Sequence, residues 1–225
     1  MKKYELTAEF IEKWGKKLFR IKALISFGSV EVGELGGYVE KEDNLAQTGN
    51  AWVYGNAWVY GNAEVYGDAR VYGNAEVSGN ARVYGNAEVS GNAEVYGDAR
   101  VYGNAWVYGD ARVYGDAWVY GDAEVYGDAR VYGDAEVSGN ADYLLIGRIG
   151  SRFGFTTFFK NKEKGITVSC GCFLGTIAEF RAKVTDTHGD NKHAKMYNMA
   201  ADMAELQILG EEHFDKLNTN KSELF

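Results

Sequence analysis

Proline is absent from the 225 residues. That excludes collagen-like and proline-rich linker architectures. Cysteine occurs twice, at positions 170 and 172. Two thiols separated by one residue are too close for an ordinary disulfide and give no disulfide framework. The default expectation is therefore a reducing cytoplasm. No apolar run reaches the roughly 18 residues of a membrane span. The start, Met1-Lys2-Lys3-Tyr4-Glu5, lacks the apolar segment of a signal peptide. Histidine is scarce, with only His188, His193 and His213. Against these deficits stand 29 glycines, 16 tyrosines, 46% apolar and 25% charged residues, a globular balance.

The net charge is −8. From Gly49 to Ala141 there are 13 acidic residues and 5 arginines, a difference of −8. The remainder holds 19 acidic and 19 basic residues, which cancel. The whole imbalance lies in the middle segment, a poor partner for a nucleic-acid backbone.

That segment is an internal repeat. Glycine returns every six residues from Gly49 to Gly139, giving 16 hexads of the form G-[N/D]-A-x-V-[Y/S]. Ala fills the third slot from Ala51 to Ala141, and Val the fifth from Val53 to Val137. Alternation points Ala and Val one way, and x and Tyr the other. Gly followed by Asn or Asp turns the chain, because these residues tolerate the left-handed region. A short strand and a corner every six residues close a triangular coil of about 18 residues, stacked in parallel at about 4.8 Å. A β-sandwich is the competing fold, but six residues leave no room for hairpins. The expected class is mainly β: a parallel β-helix followed by a small α+β module.

The segment resembles the left-handed hexapeptide-repeat β-helix superfamily, in which an aliphatic residue is followed four places on by a small one. Val53 and Ala57, Val59 and Ala63, and so on to Val137 and Ala141 fit that pattern. The resemblance implies a left hand. The lead-in Gly36 to Gln47, running into Gly49-Asn50-Ala51-Trp52-Val53-Tyr54, is similar to bacterial and phage or prophage hexapeptide proteins. Some of those carry an acyltransferase label without an assigned reaction. In the lead-in, Val39 and Leu45 read as Ala-slot residues and Leu35 as a Val-slot residue, an irregular first coil that caps the core.

Residues 18 apart should stack. The x slots read Trp52, Arg70, Glu88, Trp106, Glu124 on one face. They read Trp58, Glu76, Glu94, Arg112, Arg130 on the second and Glu64, Arg82, Arg100, Trp118, Glu136 on the third. Expected pairs are Arg70 with Glu88, Glu64 with Arg82, Glu94 with Arg112, and Arg100 with Trp118. The last slot gives tyrosine ladders such as Tyr66, Tyr84, Tyr102 and Tyr120. These aromatic residues either shield the strands or form an adhesive surface for a protein partner or a second copy. Asp98, Asp116 and Asp134 share one corner column. They read as turn formers, with Ca²⁺ as the alternative, and they count with the aromatic ladders as a candidate binding surface, since an acidic prism could imitate DNA or attract a basic partner.

The flanks divide the chain into 1–30, a helix-and-strand cap; 31–142, the β-helix with 31–48 as its irregular first coil; and 143–225, the α+β module. Residues 7–14 read as a short helix capped by Thr7, and Leu18 to Phe27 as a strand. Tyr143–Ile149, Phe153–Lys160 and Ile166–Phe173 read as strands. A helix follows from Thr176, where Thr176-x-x-Glu179 is a capping box and Ile177, Phe180 and Val184 form the buried stripe. A second helix spans about Asp190 to Leu209, with Tyr197, Met199, Ala200, Met203, Ala204 and Leu206 inward. The tail is similar to those of phage-type hexapeptide proteins.

Resemblance to hexapeptide acyltransferases implies trimers with a histidine base on a coil and acyl-CoA or acyl carrier protein between prisms. The repeat contains no histidine. Cys170, Cys172, His188 and His193 make a weak zinc candidate, since their spacing departs from the usual C-x₂₋₄-C. No catalytic residue, metal site or cofactor is expected. The expected function is a non-enzymatic scaffold of phage or prophage type that binds a host protein, including a defence protein. A homo-oligomer, trimers included, is expected, because outward tryptophan stripes favour burial. A self-assembling structural protein is the alternative function, and acyl transfer the second alternative.

Overall fold

The structure is a computed structural model, and it describes residues 1–212. His213 therefore lies outside the described residues. The chain is mainly β, a parallel β-solenoid followed by an antiparallel sheet and two helices. Among the described residues, no helix is long and apolar enough to cross a membrane.

The hexads fold as their alternation dictates. Fifteen two-residue strands, β4 (Trp52–Val53) to β18 (Glu136–Val137), form three parallel columns. Partners lie 18 residues apart: Trp52 beside Arg70, Glu88 beside Trp106, Arg100 beside Trp118. Every slot Ala from Ala51 to Ala135 and every slot Val from Val53 to Val137 is buried. The interior is thus a column of small apolar side chains, packed by burial rather than by any polar contact. Amide groups donate one coil onward, as from Arg82 N to Ala99 O at 2.9 Å and Asn80 N to Gly97 O at 2.8 Å. The last repeat Ala, Ala141, leaves the core in a 3₁₀ turn spanning Asn140–Asp142.

The corners explain the glycines. From Gly49 to Gly133 each corner glycine has φ between +59° and +75°. A Cβ on Gly97 would lie 2.9 Å from the backbone nitrogen of Gly115. Glycine is required there twice over, for the dihedral and for the approach of the next coil.

The first coil departs from the expected phase. Val39 pairs with Val59 and Leu45 with Val65, so both occupy Val slots, not Ala slots. Their separation is 20 residues because the corner between Leu45 and Ala51 holds two extra residues. Bulky Leu suits a Val slot at the open end, where no earlier coil crowds it. Leu35, read as a Val-slot residue, is exposed in β3 (Leu35–Val39).

The helix expected over residues 7–14 is a strand. β1 (Tyr4–Lys13) pairs antiparallel with β2 (Lys16–Ala23). Trp14 and Gly15, both at positive φ (49° and 76°), form the two-residue turn that matches strand twist. Thr7 read as a helix cap, but cross-strand pairing such as Phe10 with Phe19 holds the segment extended. β2 passes the sheet on to β3 and so to the solenoid's second face. Tyr4, Ile21, Ala23, Val30 and Trp52 close the open end. Asn44, fully buried, donates through Nδ2 to Ala63 O at 2.8 Å and Gly61 O at 3.2 Å. Lys3 Nζ donates to Ala51 O at 2.9 Å, and burial lowers its pKa to about 8.

The C-terminal module has four antiparallel strands in order, β19 (Tyr143–Ile149), β20 (Gly154–Lys160), β21 (Ile166–Cys170) and β22 (Phe173–Thr176). The expected third strand is split at Gly171, φ +61°. Cys170 ends β21 while Cys172 stands in the turn, so the two thiols do not share a strand face. Helix α1 (Ile177–His188) starts with the Thr176/Glu179 capping box and stops at Gly189. Helix α2 (Lys192–Leu209) is capped by Asn191. Its inner face is Ala194, Ala201 and Ala204, with Ala200 beside them. Met199, Met203 and Leu206, expected inward, are exposed. They lie across the helix from Ala201 and Ala204, and the packed face holds small side chains. Glu205, buried on that side, is held by Arg181 at 2.6 Å.

Replacing Gly133, φ +68° with open space around it, by Ala should cost only the dihedral, about 1–2 kcal/mol. Gly97→Ala, φ +73°, adds the collision with Gly115. Urea unfolding followed by circular dichroism should show at least twice the midpoint loss for Gly97→Ala. Equal losses would contradict the corner packing.

Candidate functional site

The outward ladders meet their partners within the solenoid. Arg70 reaches Glu88 at 3.3 Å, Arg82 reaches Glu64 at 3.6 Å and Arg112 reaches Glu94 at 3.2 Å. The Arg100 guanidinium lies 5.0 Å from the Trp118 ring. Tyr66, Tyr84, Tyr102 and Tyr120 stack at 4.8, 4.9 and 5.0 Å, within 5° of parallel. These contacts are local reinforcement, each worth about 0.2–1 kcal/mol at most.

The four tryptophans do not form a surface stripe. Trp52 is fully buried, edge-on to Tyr4 at 6.0 Å and to Phe27 at 5.4 Å. The N-terminal hairpin folds over its face, which the repeat alone could not reveal. Trp52 is therefore core, not binding surface. Trp58 is covered by Trp14 and by Lys13 Nζ, 4.5 Å from its ring. Trp118 also carries Lys162 Nζ at 4.8 Å. Trp106 alone of the four is largely open, 46% exposed.

The corners form a second ladder. Asn62 donates to Asn80 at 3.2 Å, and Asn80 to Asp98 at 3.0 Å. Asn74, Asn92 and Asp110 repeat the pattern at 3.1 and 3.0 Å, as do Asn86, Asn104 and Asp122 at 2.9 and 3.0 Å. Asp98 thus accepts a chain of amides. Asp116 and Asp134 lend their main-chain carbonyls to Lys162, at 3.3 and 3.2 Å. Among the described residues, no group of three or more His, Cys, Asp or Glu is placed to hold a metal ion. That finding covers the aspartate column and the Cys170, Cys172, His188, His193 set alike. His188 and His193 are neighbours, their rings 5.8 Å apart.

A third regularity escaped the sequence reading. Three hexads carry Ser in place of Tyr: Ser78, Ser90 and Ser138. Each is preceded two residues earlier by Glu: Glu76, Glu88 and Glu136. The tyrosine one coil below leans over the small serine and donates to that glutamate. Tyr60 bonds Glu76, Tyr72 bonds Glu88 at 2.8 Å and Tyr120 bonds Glu136 at 2.7 Å. The fixed Glu-Val-Ser triplet was the available signal. Burial, then the Glu76 bond, raises the Tyr60 pKa to about 12. The Glu136 bond, then burial, does the same for Tyr120. Burial and the neighbouring Tyr132 raise Tyr114 to about 12.

One concavity stands out. A cleft of about 750 Å³ lies between the solenoid's second face and the C-terminal module. Its solenoid wall carries Arg112 and Arg130, and its far wall Arg152, Lys183, Phe173 and Tyr197. Arg130 N donates to Thr157 Oγ1 at 3.1 Å, which ties the module to the coil beneath. The aromatic wall is self-supporting: Phe180 sits 5.6 Å from Phe173 and 5.7 Å from Tyr197. Burial raises the Tyr197 pKa to about 12, and the nearby Cys170 thiol adds to the effect. The sequence placed Arg112 and Arg130 only in a ladder and singled out neither Arg152 nor Lys183. The signal was present in the column itself, where two arginines succeed each other at its upper end.

The geometry defines a β-solenoid repeat protein bearing an α+β module. Three segments, residues 75–91, 93–109 and 105–121, match the family described as YdcK beta solenoid repeat. No curated protein matches the chain.

Raised tyrosine pKa values stabilise the fold fully below the ordinary phenol pKa near 10, and that stability is lost as pH rises through about 12. Phenolate absorbance should therefore lag the titration of free tyrosine. It should then rise together with loss of β circular dichroism above about pH 11. Titration of all tyrosines near pH 10 with the fold intact would contradict the ladders' burial and bonding.

Proposed function

We propose that the protein is a non-enzymatic binding scaffold whose module docks a partner protein against the acidic solenoid. The observation that carries this reading is a stripe on α2. Met196, Met199, Met203 and Leu206 are 40–65% exposed, spaced i, i+3, i+7 and i+10. They occupy the helix face opposite the buried alanines. A helix with an apolar face on each side is costly in water unless the second face meets a partner. Methionine adapts to varied partners. The solenoid's −8 charge gives such a partner a reason to be basic, and electrostatic steering would speed its arrival.

This shifts the docking surface from the tyrosine and tryptophan ladders, whose members mostly satisfy one another, to the module. The phage or prophage resemblance of the lead-in and tail supports a bacterial host protein as that partner, a defence protein included. No histidine occurs in the repeat, so nothing on the coils corresponds to the base that resemblance to acyltransferases implies.

The test compares the full chain with Met199→Glu/Met203→Glu in two measurements. Light scattering should give a monomer mass for both. Capture from bacterial lysate should yield a protein with the parent chain that the double variant loses by roughly tenfold or more, with unchanged circular dichroism. Identical capture would overturn the reading. A parent oligomer that the variant dissociates would replace it with self-assembly.

A further inference from the structure

The cleft gathers cations on a chain that is acidic as a whole. Its lining holds four cations, Arg112, Arg130, Arg152 and Lys183, against two carboxylates, Asp110 and Asp128. Of the four, Arg112 is paired with Glu94 and Lys183 with Asp186, which leaves the Arg130 and Arg152 guanidinium groups without an ion-pair partner among the described residues. Apart from Arg130, the repeat's arginines are spoken for. Arg70, Arg82 and, in the cleft wall itself, Arg112 each have a glutamate within 3.6 Å, and Arg100 has the Trp118 ring. Arg130, among the described residues, has neither a carboxylate within 4.0 Å nor an aromatic ring beneath it. It also sits directly beside Arg112 in the parallel register, where like charges repel. Arg152, from the far wall, likewise has no ion-pair partner among the described residues.

An arrangement that places unneutralised guanidinium groups around a cavity is costly when empty and favourable when an anion enters. We propose that the cleft binds a small soluble phosphomonoester that carries a flat ring. Guanidinium forks match phosphate oxygens two at a time, and a phosphomonoester carries nearly two negative charges at neutral pH. The volume lies within the range of small-molecule sites and is too small for a macromolecule. Phe173 and Tyr197 supply the apolar surface for the ring. This site stands apart from the α2 stripe and does not depend on a protein partner.

The experiment is isothermal titration of the full chain with AMP, adenosine and inorganic phosphate. AMP should bind saturably, more tightly than either fragment, and more weakly as salt rises. Arg130→Gln and Arg152→Gln should each weaken AMP at least tenfold. Trp106→Ala, on another face, should leave it unchanged. Circular dichroism melting checks that each variant is folded, and a variant that melts early is replaced by the lysine substitution at the same position. Absence of AMP binding at millimolar concentration would overturn the proposal. So would adenosine binding as tightly as AMP, or AMP affinity that both folded arginine variants retain.

Discussion

Corner glycines of successive coils approach so closely that a single methyl group would meet the next backbone, and much of the molecule follows from that contact. It fixes the stacking of coils through hydrogen bonds such as Asn80 N to Gly97 O. It keeps the strands parallel and in register, so each side chain lies directly over its counterpart 18 residues earlier. A parallel ladder needs its amides, which is why a chain without proline suits it. The narrow interior that results admits Ala and Val and little else.

Stacking identical positions creates a difficulty as well as a regularity. Like charges placed one above another repel, and like dipoles must be turned to alternate. The columns resolve this by choice of sequence. Glutamates are set next to arginines, asparagines pass hydrogen bonds toward an aspartate, and tyrosines lie flat upon one another. Where a tyrosine gives way to serine, the tyrosine below turns to a glutamate. Like charges remain side by side at three places in the outward slots, Glu76 with Glu94, Arg82 with Arg100 and Arg112 with Arg130, and the last pair lies at the level where the C-terminal module closes over the coils.

The solenoid was legible because its signals are local and repeated. Register, core composition and most ladder pairs follow from a period of six and three faces per coil. The ends were less legible for the opposite reason. The 20-residue first coil depends on two extra residues in one corner, which no period announces. The hairpin over residues 4–23 is held by pairing with β3, a contact between distant segments, while Thr7 reads locally as a helix cap. Burial of Trp52 follows from that hairpin. On α2 the sequence shows two apolar faces, and only packing decides that the alanines go inside. The cleft was least legible, because its walls come from residues more than 20 positions apart, brought together by the docking of the module.

Three faces per coil make chain length an angular quantity. Loss of 18 residues would lower the module by one coil, about 4.8 Å, and return it to the same face. Loss of a single hexad would turn it by about a third of a revolution and set it over a different column of side chains. Where the lost hexad is one that follows Arg130, the same four strands and two helices would face Trp106 and Glu124 in place of Arg112 and Arg130. Repetitive coding sequence is prone to gaining and losing units, so each such event acts as a click of a three-position selector. It re-aims an unchanged module without altering a residue of it.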